Sequence, residues 1–272
     1  MTPFLDRLRA AQTHTGACLC IGLDPDAARL PGALGAAPPP AVFGRFLEDI
    51  VRATAPYACA YKPNMAFFEA YGSAGVAVLE ETIRMVRREA PHALVVLDGK
   101  RGDIGNTARL YARAAFDALG ADALTVAPYM GRDSVTPFLE HAGRCAFVLA
   151  RTSNPGAMDF QARLVDGRPL HAHVVDAALA WGEDAPGTVG FVAGATDAAA
   201  LADVRQLAPE APLLVPGVGA QGGDAAAVME ANAGGPVLVN VGRDVLYAGA
   251  DAAYADAAGE AAARFAGLLR VG

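Results

Sequence analysis

The stretch Leu97-Asp98-Gly99-Lys100-Arg101-Gly102-Asp103-Ile104-Gly105-Asn106-Thr107 sets two carboxylates and an ammonium group where an apolar run ends. Ala93 to Leu97 reads as a short strand buried on both faces, and the residues from Asp103 onward read as a helix start. Ionised groups at such a point are costly to desolvate, which marks them for chemistry. An ammonium held beside carboxylates suits charge stabilisation and proton transfer. Asp98 and Lys100 lie two apart, so a backbone that stays extended through Lys100 turns both to one side.

Lys62 closes the run Ala58-Cys59-Ala60-Tyr61 and precedes Pro63. With Asp98, Lys100 and Asp103 it makes a set of alternating sign whose charges balance only if they meet. Unit charges ~4 Å apart interact by about 4 kcal/mol at an effective dielectric near 20, so their burial without partners is disfavoured. Each member also has a plainer reading. Lys62 as a snorkelling surface lysine, Asp24 as a turn former before Pro25, and Asp103 as the cap of the helix near Ile104 all stay open.

A second constellation runs Val215-Pro216-Gly217-Val218-Gly219-Ala220-Gln221-Gly222-Gly223-Asp224 and then Asn240-Val241-Gly242-Arg243. Glycines after strands let backbone amides approach an anion closely, and Arg243 adds a forked cation. The pattern implies a phosphorylated ligand. Flexible turns with a surface arginine are the alternative.

The elements that must position these groups are eight apolar runs, 17–23, 57–61, 93–97, 123–127, 145–150, 188–193, 212–215 and 237–241. Helically spaced stretches lie between them and after the last, at 42–53, 75–89, 106–119, 134–142, 170–181, 198–207, 224–231 and 252–269. Strict alternation predicts an α/β fold, a (β/α)8 TIM barrel, formed by one domain spanning residues 1–272. A doubly wound sheet would carry G-x-G-x-x-G after its first strand, and Gly22-Leu23-Asp24-Pro25-Asp26 lacks it. In a barrel the active site lies at the strands' C-terminal ends, where Asp24, Lys62, Asp98, Lys100, Pro128, Ser153, Asn154, Pro216, Gly242 and Arg243 converge. A helix over 1–11 is expected to cover the opposite end, and 31–40 reads as an extended loop above the first strand. The polar connection 154–169 is long enough to be functional or mobile.

Composition narrows the function further. A chain of 272 residues, 53% apolar, buries a large core, and a net charge of −7 disfavours nucleic acid as a partner. No apolar stretch reaches the roughly 18 residues of a membrane span, and the start Met1-Thr2-Pro3-Phe4-Leu5-Asp6 lacks a signal-peptide pattern, so a soluble cytoplasmic protein is expected. Cys18, Cys20, Cys59 and Cys145 read as small core residues. His171 and His173 would face apart on a helix, so no metal site is expected there. His14, His92 and His141 are isolated, and Trp181 reads as core.

Together these residues resemble the orotidine 5′-phosphate decarboxylase family, in its longer bacterial branch (type 2). Its signature D-x-K-x-x-D-I-x-x-T stands here as Asp98 to Thr107, supported by Gly22-Leu23-Asp24-Pro25, Tyr61-Lys62-Pro63-Asn64, Thr152-Ser153-Asn154-Pro155-Gly156, Pro216 to Gly223 and Val241-Gly242-Arg243. The resemblance implies conversion of orotidine 5′-phosphate to UMP and CO2, in pyrimidine synthesis, with no cofactor. It implies Lys100 as proton donor to C6 of the pyrimidine, Asp98 beside the departing carboxylate, and Lys62 with Asp24 at the ribose hydroxyls. Ser153 and Asn154 would meet the base edge, and Gln221 and Arg243, with amides near Gly222 and Gly242, the phosphate. Loop Pro216 to Gly223 would close over it. Asp103 and Thr107 would reach the neighbouring subunit's site in a homodimer. The rival readings are a metal-dependent sugar-phosphate enzyme, for which Glu69 lies too far along the chain, a Schiff-base aldolase using Lys62 or Lys100, and a non-catalytic nucleotide-phosphate binder.

Overall fold

The computed structural model describes residues 2–35 and 38–271; positions 1, 36, 37 and 272, which include the start of the expected first helix and part of the 31–40 segment, lie outside them. Helix α1, Phe4–Thr15, precedes β1, Leu19–Leu23, and two 3₁₀ turns lead to α2, Pro39–Thr54. Strand β2, Ala60–Pro63, is followed by α3, Ala66–Glu69, and α4, Gly72–Glu89; β3, Leu94–Arg101, leads to α5, Gly105–Arg113. Then come β4, Ala123–Val126, α6, Arg132–Leu139, and β5, Cys145–Arg151. Helix α7, Ala157–Phe160, and a hairpin of β6, Leu164–Val165, with β7, Arg168–Pro169, occupy the long connection before α8, Leu170–Gly182. The rest is β8, Thr188–Ala193, α9, Ala198–Leu207, β9, Leu213–Pro216, α10, Ala225–Asn232, β10, Val237–Val241, α11, Arg243–Leu246, and α12, Tyr254–Leu268.

The long strands pair in parallel in the closed order β1-β10-β9-β8-β5-β4-β3-β2, the (β/α)8 barrel that the alternation predicts. Burial splits each strand by parity. Cys20, Ala60, Leu94, Val96, Ala123, Cys145, Phe147, Val192, Leu214 and Leu238 form the inner core, while their neighbours, such as Ile21, Tyr61, Val95, Leu124, Phe191 and Val239, pack outward in the strand–helix layer. Both faces are covered, so the strands read as unbroken apolar runs.

Helix α1 closes the barrel's N-terminal end. Phe4, Leu8 and Ala11 belong to the inner core, and the Phe4 ring meets Phe147 edge-on at 6.0 Å between centroids. Arg7 pairs with the buried carboxylate of Asp122, which also takes Arg87 and Arg144, and the Gln12 amide donates to the Val237 carbonyl at 2.6 Å. The covering helix expected at the bottom is therefore a plug with an ionic tie.

Three local expectations change. The 31–40 segment is not simply extended, because Gly32–Leu34 turns in 3₁₀ form and Pro39 and Pro40 begin α2, where a preset φ and a missing N–H are tolerated. The helix after β3 ends its α-form at Arg113 and continues as a π turn, Ala114–Ala118. The 154–169 connection carries exposed apolar side chains, Met158, Phe160 and Leu164, on structure of its own. The four cysteines are buried and unpaired, and Trp181 packs against the core. Among the described residues no helix is long and apolar enough to cross a membrane.

Because the plug sits at the end away from the charged strand termini, Leu8→Ala is expected to cost about 2–5 kcal/mol of stability. Thermal melting checks it, with kcat at 25 °C unchanged.

Candidate active site

The ends of β1 to β4 gather the charges. Lys62 Nζ donates to Asp98 Oδ2 at 2.9 Å, and Lys100 Nζ donates to Asp98 Oδ1 at 2.6 Å. The two arms differ in solvation: the Lys62 side chain is 4% exposed and that of Lys100 51%, against 11% for Asp98. Lys62 is thus a buried partner, which removes its reading as a surface lysine, and Lys100 is the ammonium that an incoming molecule can reach.

The backbone at this point is not the extended one that spacing suggests. Pairing of β3 with β4 slips between Leu97 and Arg101, and Lys100 sits at φ 44°, in the left-handed region. Such a conformation costs a non-glycine residue about 1–3 kcal/mol and persists only where its surroundings impose it. Asp98 and Lys100 still meet, through a bulge rather than through alternation. Thr125, which the sequence reading did not single out, is the residue at the bulge: its hydroxyl donates to Asp98 Oδ1 at 2.9 Å and accepts from the Gly99 and Lys100 amides at 3.1 and 2.9 Å. On the outer side, Arg101 pairs with Glu69 and lies over the Tyr111 ring, so Glu69 is engaged at α3.

Electrostatics keep this group ionised. Burial pulls the Lys62 ammonium down, but Asp24 and Asp98 together outweigh it and hold its pKa above the ordinary lysine value. Burial likewise pushes Asp98 up, and Lys62 and Lys100 pull harder, holding it well below the carboxylate range. Asp98 therefore adds stability above its unfolded value, lost only as pH falls through its depressed pKa; Lys62 adds stability below its unfolded value, lost only as pH rises through its raised one. Asp24 is the exception. Burial pushes it up, against the pull of Lys62 and with the push of Asp98, and its Oδ1 is buried without a hydrogen-bond partner.

Asp24 also begins a cleft of about 530 Å³ that runs past Asn64, Phe67 and Asn240 to Gln221, Gly242, Arg243, Arg29 and Tyr247. Gly22 and Gly242 approach so closely that a Cβ on Gly22 would lie 3.1 Å from the Gly242 Cα. Gly219, at φ 81°, faces the Asp244 carboxylate at a distance that leaves no room for a side chain. The Tyr247 hydroxyl accepts from the Asp26 amide at 2.6 Å and donates to the Asp24 carbonyl at 3.0 Å, tying the β1 loop to the end of α11. The Arg29 guanidinium lies 4.2 Å from the centre of the Tyr247 ring. Arg29 and Tyr247 were not among the expected site residues, and Asn64 and Asn240 belong to the expected motifs without a role assigned to them.

The remaining expected residues divide. The Ser153 hydroxyl donates to Gln221 Oε1 at 3.4 Å, joining the loops after β5 and β9, and Pro216 ends β9 opposite Asn240. Asn154 is bound into its own loop by the Thr152 hydroxyl at 2.6 Å. The Gly222 amide donates to the Gly219 carbonyl at 2.6 Å, so it is turned into the loop's own hairpin and away from a ligand. Asp103 accepts from the Ile104 amide at 2.7 Å, and α5 begins without a side-chain cap. Asp103 and exposed Thr107 do not join the Lys62–Asp98–Lys100 group within one chain. His171 and His173 bond the carbonyls of Gln161 and Val165, bracing the 154–169 connection.

A closed parallel barrel with a lysine–aspartate–lysine ladder at its C-terminal mouth, and glycine-rich loops with an arginine across the same mouth, is the architecture of a (β/α)8-barrel enzyme. Residues 18–258 match the Orotidine 5'-phosphate decarboxylase / HUMPS family. Proteins named orotidine 5'-phosphate decarboxylase from Herpetosiphon aurantiacus and Roseiflexus castenholzii are each 49% identical over 266 residues, covering 96% and 95% of this chain and 96% and 94% of their own. The structure of Leishmania donovani OMP decarboxylase superposes with a TM-score of 0.82 at 37% identity, covering 98% of both chains. The chain belongs to the orotidine 5′-phosphate decarboxylase family.

Since Asp24 is the group whose ionised form the fold disfavours, Asp24→Asn is expected to raise the melting temperature at neutral pH. Folded Asp24 binds its proton more tightly than unfolded Asp24, so the gain shrinks as pH falls toward the ordinary carboxylate range; melting curves across that interval check the sign.

Proposed function

We propose that this chain decarboxylates orotidine 5′-phosphate to UMP and CO2, the last step of de novo pyrimidine nucleotide synthesis, with its own side chains as the only catalytic groups. The observation that carries the reading is the Lys62–Asp98–Lys100 ladder, with one ammonium buried and the other half exposed. It stands beside a cleft whose far end carries Gln221 and Arg243. The phosphate rests against Gln221 and Arg243, with Arg29 as a second cation at that end. Asp24 and Lys62 hold the ribose hydroxyls, and Ser153 meets the base edge, with Asn154 shaping its loop. Closure of Pro216 to Gly223 over the phosphate frees the Gly222 amide and brings Gly242 to the same oxygens.

The bond from C6 to the carboxylate breaks, CO2 leaves, and the electron pair stays on C6. The Lys100 ammonium, already oriented by Asp98, stabilises that charge and gives its proton to C6; the resulting amine regains a proton from water. Asp98 crowds the substrate carboxylate, and binding of the distant phosphate offsets that repulsion. Enzymes of the most demanding reactions lower barriers by up to about 23 kcal/mol, so these effects must act together.

The working unit is a homodimer. Asp103 and Thr107 lie next to exposed Ile104, Leu110 and Tyr111, and Tyr129, 88% exposed, stands 6.5 Å from the Phe160 ring centre. A second copy covering this apolar surface would bring its Asp103 and Thr107 to the first copy's ladder. The fourth charge of the alternating set is then supplied across the interface.

The falling ultraviolet absorbance of orotidine 5′-phosphate, followed with chelator-treated protein, tests the reading. Turnover is expected to persist, whereas loss on chelation would point to a metal-dependent enzyme, and borohydride trapping of substrate to an aldolase. Lys100→Ala is expected to lose about 10²–10⁴-fold or more in kcat while UMP still binds. For the shared site, mixing Lys100→Ala with Asp103→Ala chains is expected to restore part of the activity that each lacks alone. Mixed dimers without any recovery would place both groups in one chain's site.

A further inference from the structure

We propose that Thr125 is the positioning residue that sets the reactive geometry of Asp98 and Lys100, an inference that rests on the decarboxylase reading of the same site. A threonine hydroxyl has one proton and two lone pairs. Here both lone pairs face backbone amides, Gly99 at 3.1 Å and Lys100 at 2.9 Å, and the proton points to Asp98 Oδ1 at 2.9 Å. No capacity is left over, so the direction of every bond is set. The oxygen facing Thr125 on Asp98 must accept, which agrees with a carboxylate that also accepts from both lysines.

The same hydroxyl accounts for the unusual backbone. Between Leu97 and Arg101 the ladder with β4 slips, and the amides of Gly99 and Lys100 lose their regular partners there. Thr125 takes both amides, and the turn that lets it do so leaves Lys100 at φ 44°. The ammonium then returns to Asp98 Oδ1, the oxygen that Thr125 also holds. One side chain thus aims the carboxylate and bends the segment that carries the proton donor. A strand threonine chosen for β propensity alone would not need all its bonds on one tripeptide. Thr125 is 1% exposed, so it acts through these groups and not on a ligand.

Thr125→Val keeps shape and volume and removes every bond. It is expected to lower kcat by about 10- to 100-fold, as misplacement of a reacting group does. The KM for orotidine 5′-phosphate and the affinity for UMP should stay unchanged. Thr125→Ser, which keeps the hydroxyl, is expected to restore most of kcat. Exchange of the UMP C6 proton with deuterated water reports proton transfer at C6 without the loss of CO2 and should fall in the valine chain in step with kcat. An unchanged kcat in Thr125→Val overturns the proposal, as does a fall in which kcat, KM and melting temperature move together and serine gives no rescue. If the valine chain does not fold, Thr125→Cys, whose thiol makes only weak bonds, is held to the same split of kcat from KM. The wild-type chain separates the two claims: no turnover there removes the decarboxylase reading and this inference with it, while equal turnover in wild type and variant removes only the role of Thr125.

Discussion

A carboxylate at the end of a buried strand can stay ionised only if cations come to it, and at Asp98 two ammonium groups do. One comes from the neighbouring strand and is dry; the other comes from its own strand and meets solvent. This inequality organises the mouth of the barrel. The buried lysine neutralises the carboxylate out of bulk solvent, and the accessible lysine is left aimed and charged. The strained turn at Lys100 is held by the Thr125 hydroxyl, which takes the Gly99 and Lys100 amides, together with the return of the Lys100 ammonium to Asp98.

The barrel is what makes such a meeting routine. Parallel pairing sets neighbouring strands in step, so that Gly22 lies opposite Lys62 and Asn64 opposite Asp98, and the residues just above the inner core point into one shared space. The plug of α1 fills the other end, which leaves the barrel a packed solid and its mouth as the end where inward polar groups face a cleft. Gly22 and Gly242 let β1 and β10 approach at the mouth, and Tyr247 ties the β1 loop to the arginine-bearing helix. The cleft is therefore braced at its Asp24 side by contacts between the first and last parts of the chain.

Asp24 shows what the arrangement costs in stability. It is a carboxylate whose buried oxygen has no partner, pushed toward its neutral form by burial and by Asp98. A fold under selection for stability alone has little use for it. A ligand hydroxyl in the cleft would supply the missing donor, which is the usual reason for such a group to persist.

The strands, their order of appearance and the charged ladder were legible in the sequence because a parallel barrel buries both faces, and its strands end where apolar runs give way to charge. Thr125 was not, although it lies two residues beyond an inner-core position, Ala123. A single polar residue in a short apolar run looks like ordinary strand composition until its inward face is known. Arg29 could not be placed either, since its direction depends on Tyr247, from the far end of the chain. By itself the sequence determined which groups are present and that Lys62, Asp98 and Lys100 close strands. Only the tertiary structure decided which lysine is dry, how the bulge turns Lys100, and that Asp103 stands apart from the ladder in its own chain. Those follow from packing between strands that are distant in sequence, and spacing along one strand carries no record of its neighbours.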